Sequence, residues 1–192
     1  MEIYALFDNC NYEKVSLDFL QPHSRANSVE ITFLANVPDN IRESADRGIK
    51  EAYFWLSKHY KQVPNKLSVW CRGFEINPQG NSTDLAFAVA LICHMISEGY
   101  LKSSEMPSIV CATGVINKSG EVVRVNGIRE KMVSAIKLCS NINNGIILIP
   151  EGNLSEYDSL LEDDDFVGKA SARVIAVKSI KDVLEAFGMK SV

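Results

Sequence analysis

Hydrophobic and polar positions along the chain follow two periods, and the switches between them predict the elements. Ile3–Phe7, Val15–Leu20 and Val29–Leu34 are short apolar runs that read as three opening strands, and Glu30-Ile31-Thr32-Phe33 alternates with period two. From Asp39 to Tyr60 the spacing turns helical: Ile41, Ala45, Ile49, Ala52 and Leu56 share one face, with Asp39 placed as N-cap. Leu67–Cys71 predicts a strand and Asn77-Pro78-Gln79-Gly80-Asn81 a turn. The next helix, from Ser82 to Glu98, is apolar almost all round, which marks it as central. Ile109–Ile116 and Val122–Val125 flank Asn117-Lys118-Ser119-Gly120 as a hairpin. A helix over Gly127–Cys139 turns Ile128, Met132, Ala135, Ile136 and Cys139 inward. A strand over Gly145–Ile149 ends at Pro150, then come a short helix (Ser155–Leu161), a strand (Val174–Val177) and a last helix (Ser179–Phe187). Strands and helices interleave after the opening strands, so the expected class is α/β with α+β layering.

Composition narrows this picture. The 192 residues contain no repeat, low-complexity tract or linker, so the expectation is one domain over residues 1–192. At 46% hydrophobic residues the chain is too apolar for disorder, and five cysteines are too few for a disulfide scaffold. Twenty basic against 24 acidic residues give a net charge of −4, which argues against a nucleic-acid partner. Met1-Glu2-Ile3-Tyr4 has no secretory pattern, and the longest apolar run, Leu85–Ile96, is interrupted by His94 and too short to span a membrane. Cys10, Cys71, Cys93, Cys111 and Cys139 are scattered without a C-x-x-C pair, so no metal site is expected. Together these features predict a cytoplasmic protein with no membrane partner and with buried, reduced cysteines. Glu162-Asp163-Asp164-Asp165 reads as a solvated loop.

Three segments could carry chemistry. Ser82 follows a Gly80-Asn81 turn at the start of the apolar helix. There a hydroxyl can cap the helix, or act as a nucleophile whose oxyanion is held by free N–H groups. His23, His59 and His94 stand at no spacing that marks a base, so a Ser-His-Asp triad is poorly supported. The other base able to activate serine is a desolvated lysine. Lys131 lies one turn into the third predicted helix, beside Ile128, Met132 and Ala135. Burial and the helix N-terminus would both disfavour its ammonium and push its pKa down towards a general base, whereas a solvated lysine lying over the apolar stripe would stay charged. Thr113, at the end of a strand, could hydrogen-bond a neutral lysine or serve no special purpose.

Five motifs in register resemble the proteolytic domain of the Lon protease family. They are Gly80-Asn81-Ser82, the helix Ala86–Leu91, Ala112-Thr113-Gly114-Val115-Ile116, Asn126-Gly127-Ile128-Arg129-Glu130-Lys131, and Ile147-Leu148-Ile149-Pro150-Glu151-Gly152-Asn153. Arg42-Glu43-Ser44-Ala45 resembles the family's Glu-Ser-Ala helix, and the likeness runs from about Val29 onward. The resemblance implies the Lon proteolytic-domain fold, similar to domain 2 of ribosomal protein S5. It also implies a serine endopeptidase with Ser82 as nucleophile, Lys131 as general base and Thr113 hydrogen-bonding the dyad. Asn81 and Thr83 would support the oxyanion, and no cofactor or metal would be needed. The dyad atoms should then lie about 2.6–3.2 Å apart, or looser without ligand. Implied partners are a protein or peptide substrate, further copies in a ring of perhaps six, and a separate or C-terminally fused ATPase, since the chain has no P-loop. The family's Asp-Gly-Pro before serine is Gln79-Gly80-Asn81 here, and its Ala-Gly after it is Thr83-Asp84, where the carboxylate is expected to alter substrate entry or dyad electrostatics. Asp84-Leu85-Ala86 is also similar to the Lon-like tail of RadA/Sms proteins. The rival implication is therefore a non-catalytic oligomerisation or partner-binding module, although that relative lacks a lysine at the position of Lys131.

Overall fold

The computed structural model describes residues 1–20, 28–34, 36–72, 74, 82–163, 166 and 172–189. Ten strands and five α-helices lie among them in a mixed α/β arrangement. The order is β1 (Glu2–Leu6), β2 (Tyr12–Val15), β3 (Leu17–Leu20), β4 (Ser28–Phe33), α1 (Asp39–His59), β5 (Lys66–Cys71), α2 (Asp84–Ser97), β6 (Ile109–Ala112), β7 (Val115–Ile116) and β8 (Val122–Val123). Then follow α3 (Ile128–Cys139), β9 (Gly145–Pro150), a 3₁₀ turn (Glu151–Asn153), α4 (Leu154–Leu161), β10 (Arg173–Val177) and α5 (Ile180–Ala186).

A five-stranded sheet in the order β10-β9-β6-β1-β2 forms one layer. Its first four strands are mutually parallel and β2 is an antiparallel edge. A three-stranded sheet, β3-β5-β4, and the β7–β8 hairpin complete the strands. The central strands are buried on both faces, so side chains of alternating residues enter two cores. Ile3, Ala5, Val110, Ala112, Ile146 and Leu148 join the larger core beneath α1, α2 and α5. Leu6, Ile109, Cys111, Ile147 and Ile149 join a second core against Ile128, Met132, Ala135 and Cys139 of α3. No helix among the described residues is long and apolar enough to cross a membrane.

Helix α2 is buried around nearly its whole circumference, as its sequence predicts. It packs against α1, whose inward face is Ile41, Ala45, Ile49, Ala52 and Leu56. The two backbones meet at Gly48, where a Cβ atom would lie 2.1 Å from the Asp84 carbonyl oxygen. Only glycine allows that approach, and this contact sets the depth of the α2 N-terminus.

Several boundaries differ from the sequence reading. Val15–Leu20 is two strands, because the chain leaves the larger sheet at Ser16 and pairs β3 with β5 of the smaller one. The period-two alternation of Val15, Leu17 and Phe19 continues through the switch and so hides it. Ile109–Ile116 is likewise divided by Thr113-Gly114. Asp39 is the first helical residue and Pro38 the N-cap. Helix α2 begins at Asp84 with Thr83 as N-cap, which leaves Ser82 in the preceding turn. Cys71, Cys93, Cys111 and Cys139 are buried free thiols while Cys10 is exposed; burial pushes the Cys71 thiol up to about 12. The predicted Asn77–Asn81 turn, His23, Asp164 and Asp165 lie outside the described residues.

Gly48→Ala should therefore destabilise the protein by at least about 2 kcal/mol in urea unfolding. Glycine to alanine in a free helix gains about 1 kcal/mol instead, so the sign of the change tests the contact.

Candidate functional site

The parallel strands β1, β6 and β9 deliver their carboxyl ends to one edge of the larger sheet, the usual place for a site in such sheets. Asp8 follows β1, Thr113 follows β6 and Asn153 follows β9. The N-termini of α2 and α3 contribute Ser82 and Lys131.

Ser82 is held by its own backbone. Its carbonyl oxygen accepts hydrogen bonds from the Gly114 N–H at 2.8 Å and the Thr113 hydroxyl at 3.3 Å, and Leu85 N–H donates to the Gly114 carbonyl at 3.1 Å. Thr113 is fully buried and its hydroxyl donates to the Ser82 main-chain carbonyl rather than to Lys131, the partner that its place at a strand end had suggested. Thr83 is also fully buried, and its hydroxyl has no partner among the described residues. Asn81 lies outside the described residues.

Asp84 corrects an expectation. Its fully buried carboxylate turns away from Ser82 and accepts from Arg47 Nε at 2.6 Å, Arg47 Nη2 at 3.0 Å and the Ile116 N–H at 2.9 Å. The bidentate fork holds the guanidinium more firmly charged than usual, and the helix N-terminus adds a favourable dipole for the carboxylate. Asp84 thus ties α2 to α1 and to β7.

Lys131 is 1% exposed, which sets aside the solvated-lysine alternative. Its Nζ donates to the Asn126 carbonyl at 2.6 Å and pairs with Asp8 Oδ1 at 2.7 Å. Asn126 is itself fixed by Asn153, whose side chain accepts from the Val125 N–H at 3.0 Å and donates to the Val125 carbonyl at 2.9 Å. Gly127, with φ +67°, caps α3 and leaves room for Asp8: a Cβ there would stand 2.9 Å from the Asp8 carboxyl carbon. The sequence reading weighed burial and the helix dipole; the fold adds a carbonyl and a carboxylate as hydrogen-bond acceptors on the nitrogen.

Ser82 and Lys131 line one cavity of about 210 Å³ with Asp8, Val115, Arg124, Val125 and Asn126. Lys131 Nζ is engaged by Asp8 and Asn126, and no hydrogen bond joins it to Ser82. The two candidates are thus gathered at one site without a hydrogen bond between them. Among the histidines, His94 lines a different cavity and His59 Nδ1 sits 2.7 Å from the Trp55 carbonyl. Asp8 was missed by the sequence reading. It stands in a polar Asp-Asn turn far from every motif, and only the parallel pairing of β1 with β6 brings it to this edge.

No protein-family model matches the chain. It is similar to the mitochondrial Lon protease homolog of Schizosaccharomyces pombe, 28% identical over 129 aligned residues that cover 64% of this chain. The match spans 11% of that protein's length. At this identity the likeness points to a Lon-related protein and goes no finer.

Removing the Asp84 partner should be costly. Arg47→Met leaves a carboxylate buried at 0% exposure with the Ile116 N–H as its remaining donor, and should lower stability by about 3–5 kcal/mol in urea titration. Adding Asp84→Leu to that variant should restore much of the loss, which separates the unpaired charge from simple loss of packing.

Proposed function

We propose that the chain is a Lon-type serine endopeptidase in which Ser82 attacks the substrate and Lys131 moves the proton. The observation that carries this reading is the shared cavity: a serine next to the N-terminus of a buried helix and a 1%-exposed lysine, brought together at the carboxyl edge of a parallel sheet. The similarity to a Lon protease homolog supports it independently.

In this mechanism Lys131, in its amine form, takes the hydroxyl proton as Ser82 Oγ bonds to the peptide carbonyl carbon. N–H groups at the start of α2 stabilise the oxyanion, since the first turn of a helix leaves such donors without intrahelical partners. The lysine then protonates the leaving amine and an acyl ester remains on Ser82. Water, deprotonated by the same lysine, hydrolyses that ester and frees the serine. Thr113 acts by fixing the Ser82 carbonyl and hence the direction of its side chain. No metal or organic cofactor enters these steps.

The same reading makes residues 1–192 a single domain with the Lon proteolytic fold, active in the cytoplasm on protein or peptide substrates. It also has the chain assemble with further copies in a ring and rely on a separate or fused ATPase to unfold what it cuts.

Ser82→Ala and Lys131→Ala should each reduce peptide cleavage at least ~10³-fold without changing the unfolding midpoint by a comparable amount. A peptidyl diphenyl phosphonate should modify Ser82, as read by mass spectrometry, and should fail to do so in Lys131→Ala. Cleavage undiminished in either variant would sink the dyad. Absence of modification under every condition would favour the non-catalytic module.

A further inference from the structure

The feature that the proposed mechanism does not use is the carboxylate on its base. We propose that Asp8, in the turn between β1 and β2, restrains Lys131 by holding it as an ammonium, so that Ser82 is deprotonated only after this contact opens. The inference rests on the Ser82–Lys131 reading above and adds to it a residue that controls when the base is available.

Four observations support it. Asp8 Oδ1 lies 2.7 Å from Lys131 Nζ, and the Asn126 carbonyl takes a second of its hydrogens at 2.6 Å. Both partners accept hydrogen bonds, so together they take up two of the three hydrogens that the lysine nitrogen carries as an ammonium. Ser82 is not hydrogen-bonded to the lysine in this arrangement although both line the same cavity. The space for Asp8 is built in, since any side chain at Gly127 would meet its carboxyl group.

Among the described residues, the charged groups on the surrounding elements leave Asp8 as the one paired with the lysine. Arg124 lines the cavity but its guanidinium is paired with Glu156 at the start of α4, at 3.2 Å. Asp84 of α2 is turned to Arg47. Glu130, the neighbour of Lys131 on α3, points about 100° away around the helix.

Asp8 can also be withdrawn. Its side chain is 56% exposed, and it sits in a tight turn closed by the Phe7 N–H to Asn11 carbonyl bond at 3.0 Å, with Cys10 at φ +57°. Opening needs only movement of this turn, as a substrate or a neighbouring subunit pressing on it would cause. The ammonium then gives one proton to water, and the resulting amine takes the Ser82 proton while the Oγ–carbon bond forms. That proton later leaves with the amine product, so the cycle balances.

The test compares wild type, Asp8→Asn and Asp8→Ala, all as full chains. The first readout is the rate of Ser82 modification by a peptidyl diphenyl phosphonate between about pH 6 and pH 10. Asp8→Asn keeps the shape and removes the charge. It should be modified about three- to tenfold faster near neutrality, a modest factor because solvent screens a half-exposed carboxylate. Its rising limb should lie at lower pH, and added salt should accelerate wild type but not the variant. A rate equal to or below wild type, with an unmoved pH profile, would overturn the proposal and leave Asp8 a structural residue.

The second readout is the ¹³Cε resonance of Lys131 in lysine-labelled protein, which reports protonation without any catalysis. Its transition should come at lower pH in Asp8→Asn and Asp8→Ala than in wild type, and an unchanged transition overturns the restraint. If no protein is modified by the phosphonate, the peptidase reading fails and the resonance alone decides the role of Asp8.

Discussion

A buried carboxylate must be paired, and Asp84 meets that demand in a way that organises the molecule. Its two oxygens draw in the Arg47 fork from α1 and the Ile116 N–H from β7, so one side chain joins two helices and a hairpin. Gly48 lets the helices close to the distance that this pairing requires. With the start of α2 fixed, the Ser82 carbonyl falls within reach of Gly114 and Thr113, and the backbone of the serine is held in place. An ion pair of this kind adds little net stability compared with apolar packing, but it has a direction. That directionality places the turn carrying Ser82 against the sheet.

The lysine is supported by a separate chain of contacts. Asn153 grips both backbone groups of Val125, the next residue offers its carbonyl to Lys131, and Asp8 closes the far side across Gly127. Ser82 and Lys131 therefore belong to independently braced halves that share a wall of one cavity.

Much of this was visible in the sequence because it depends on local pattern. The inward stripe of α1, the all-round apolar α2 and the alternation of the central strands follow from periodicity, and they are what the structure shows. Ser82 and Lys131 could be singled out because a turn before a buried helix and a lysine beside an apolar stripe have local signatures. What pattern could not show was pairing at a distance. The strand exchange at Ser16 carries no break in the period-two alternation, and the partner of Asp84 lies in another helix. Asp8 had no signature beyond a polar turn, because its importance comes from the register of β1 on β6. Asp84 was misread for the same reason: a charge near a candidate nucleophile looks electrostatic until its true partner is located.

That register has a consequence for how the chain matures. Pairing Glu2 with Ile109 closes a loop more than half the length of the protein, a step that comes late because its entropy is recovered only when the intervening core is in place. The cavity wall draws on residues 8, 82, 126 and 131, so it depends on this long-range pairing being in place. The site is thus a product of long-range topology, complete only when both ends of the β1–β6 pairing have met.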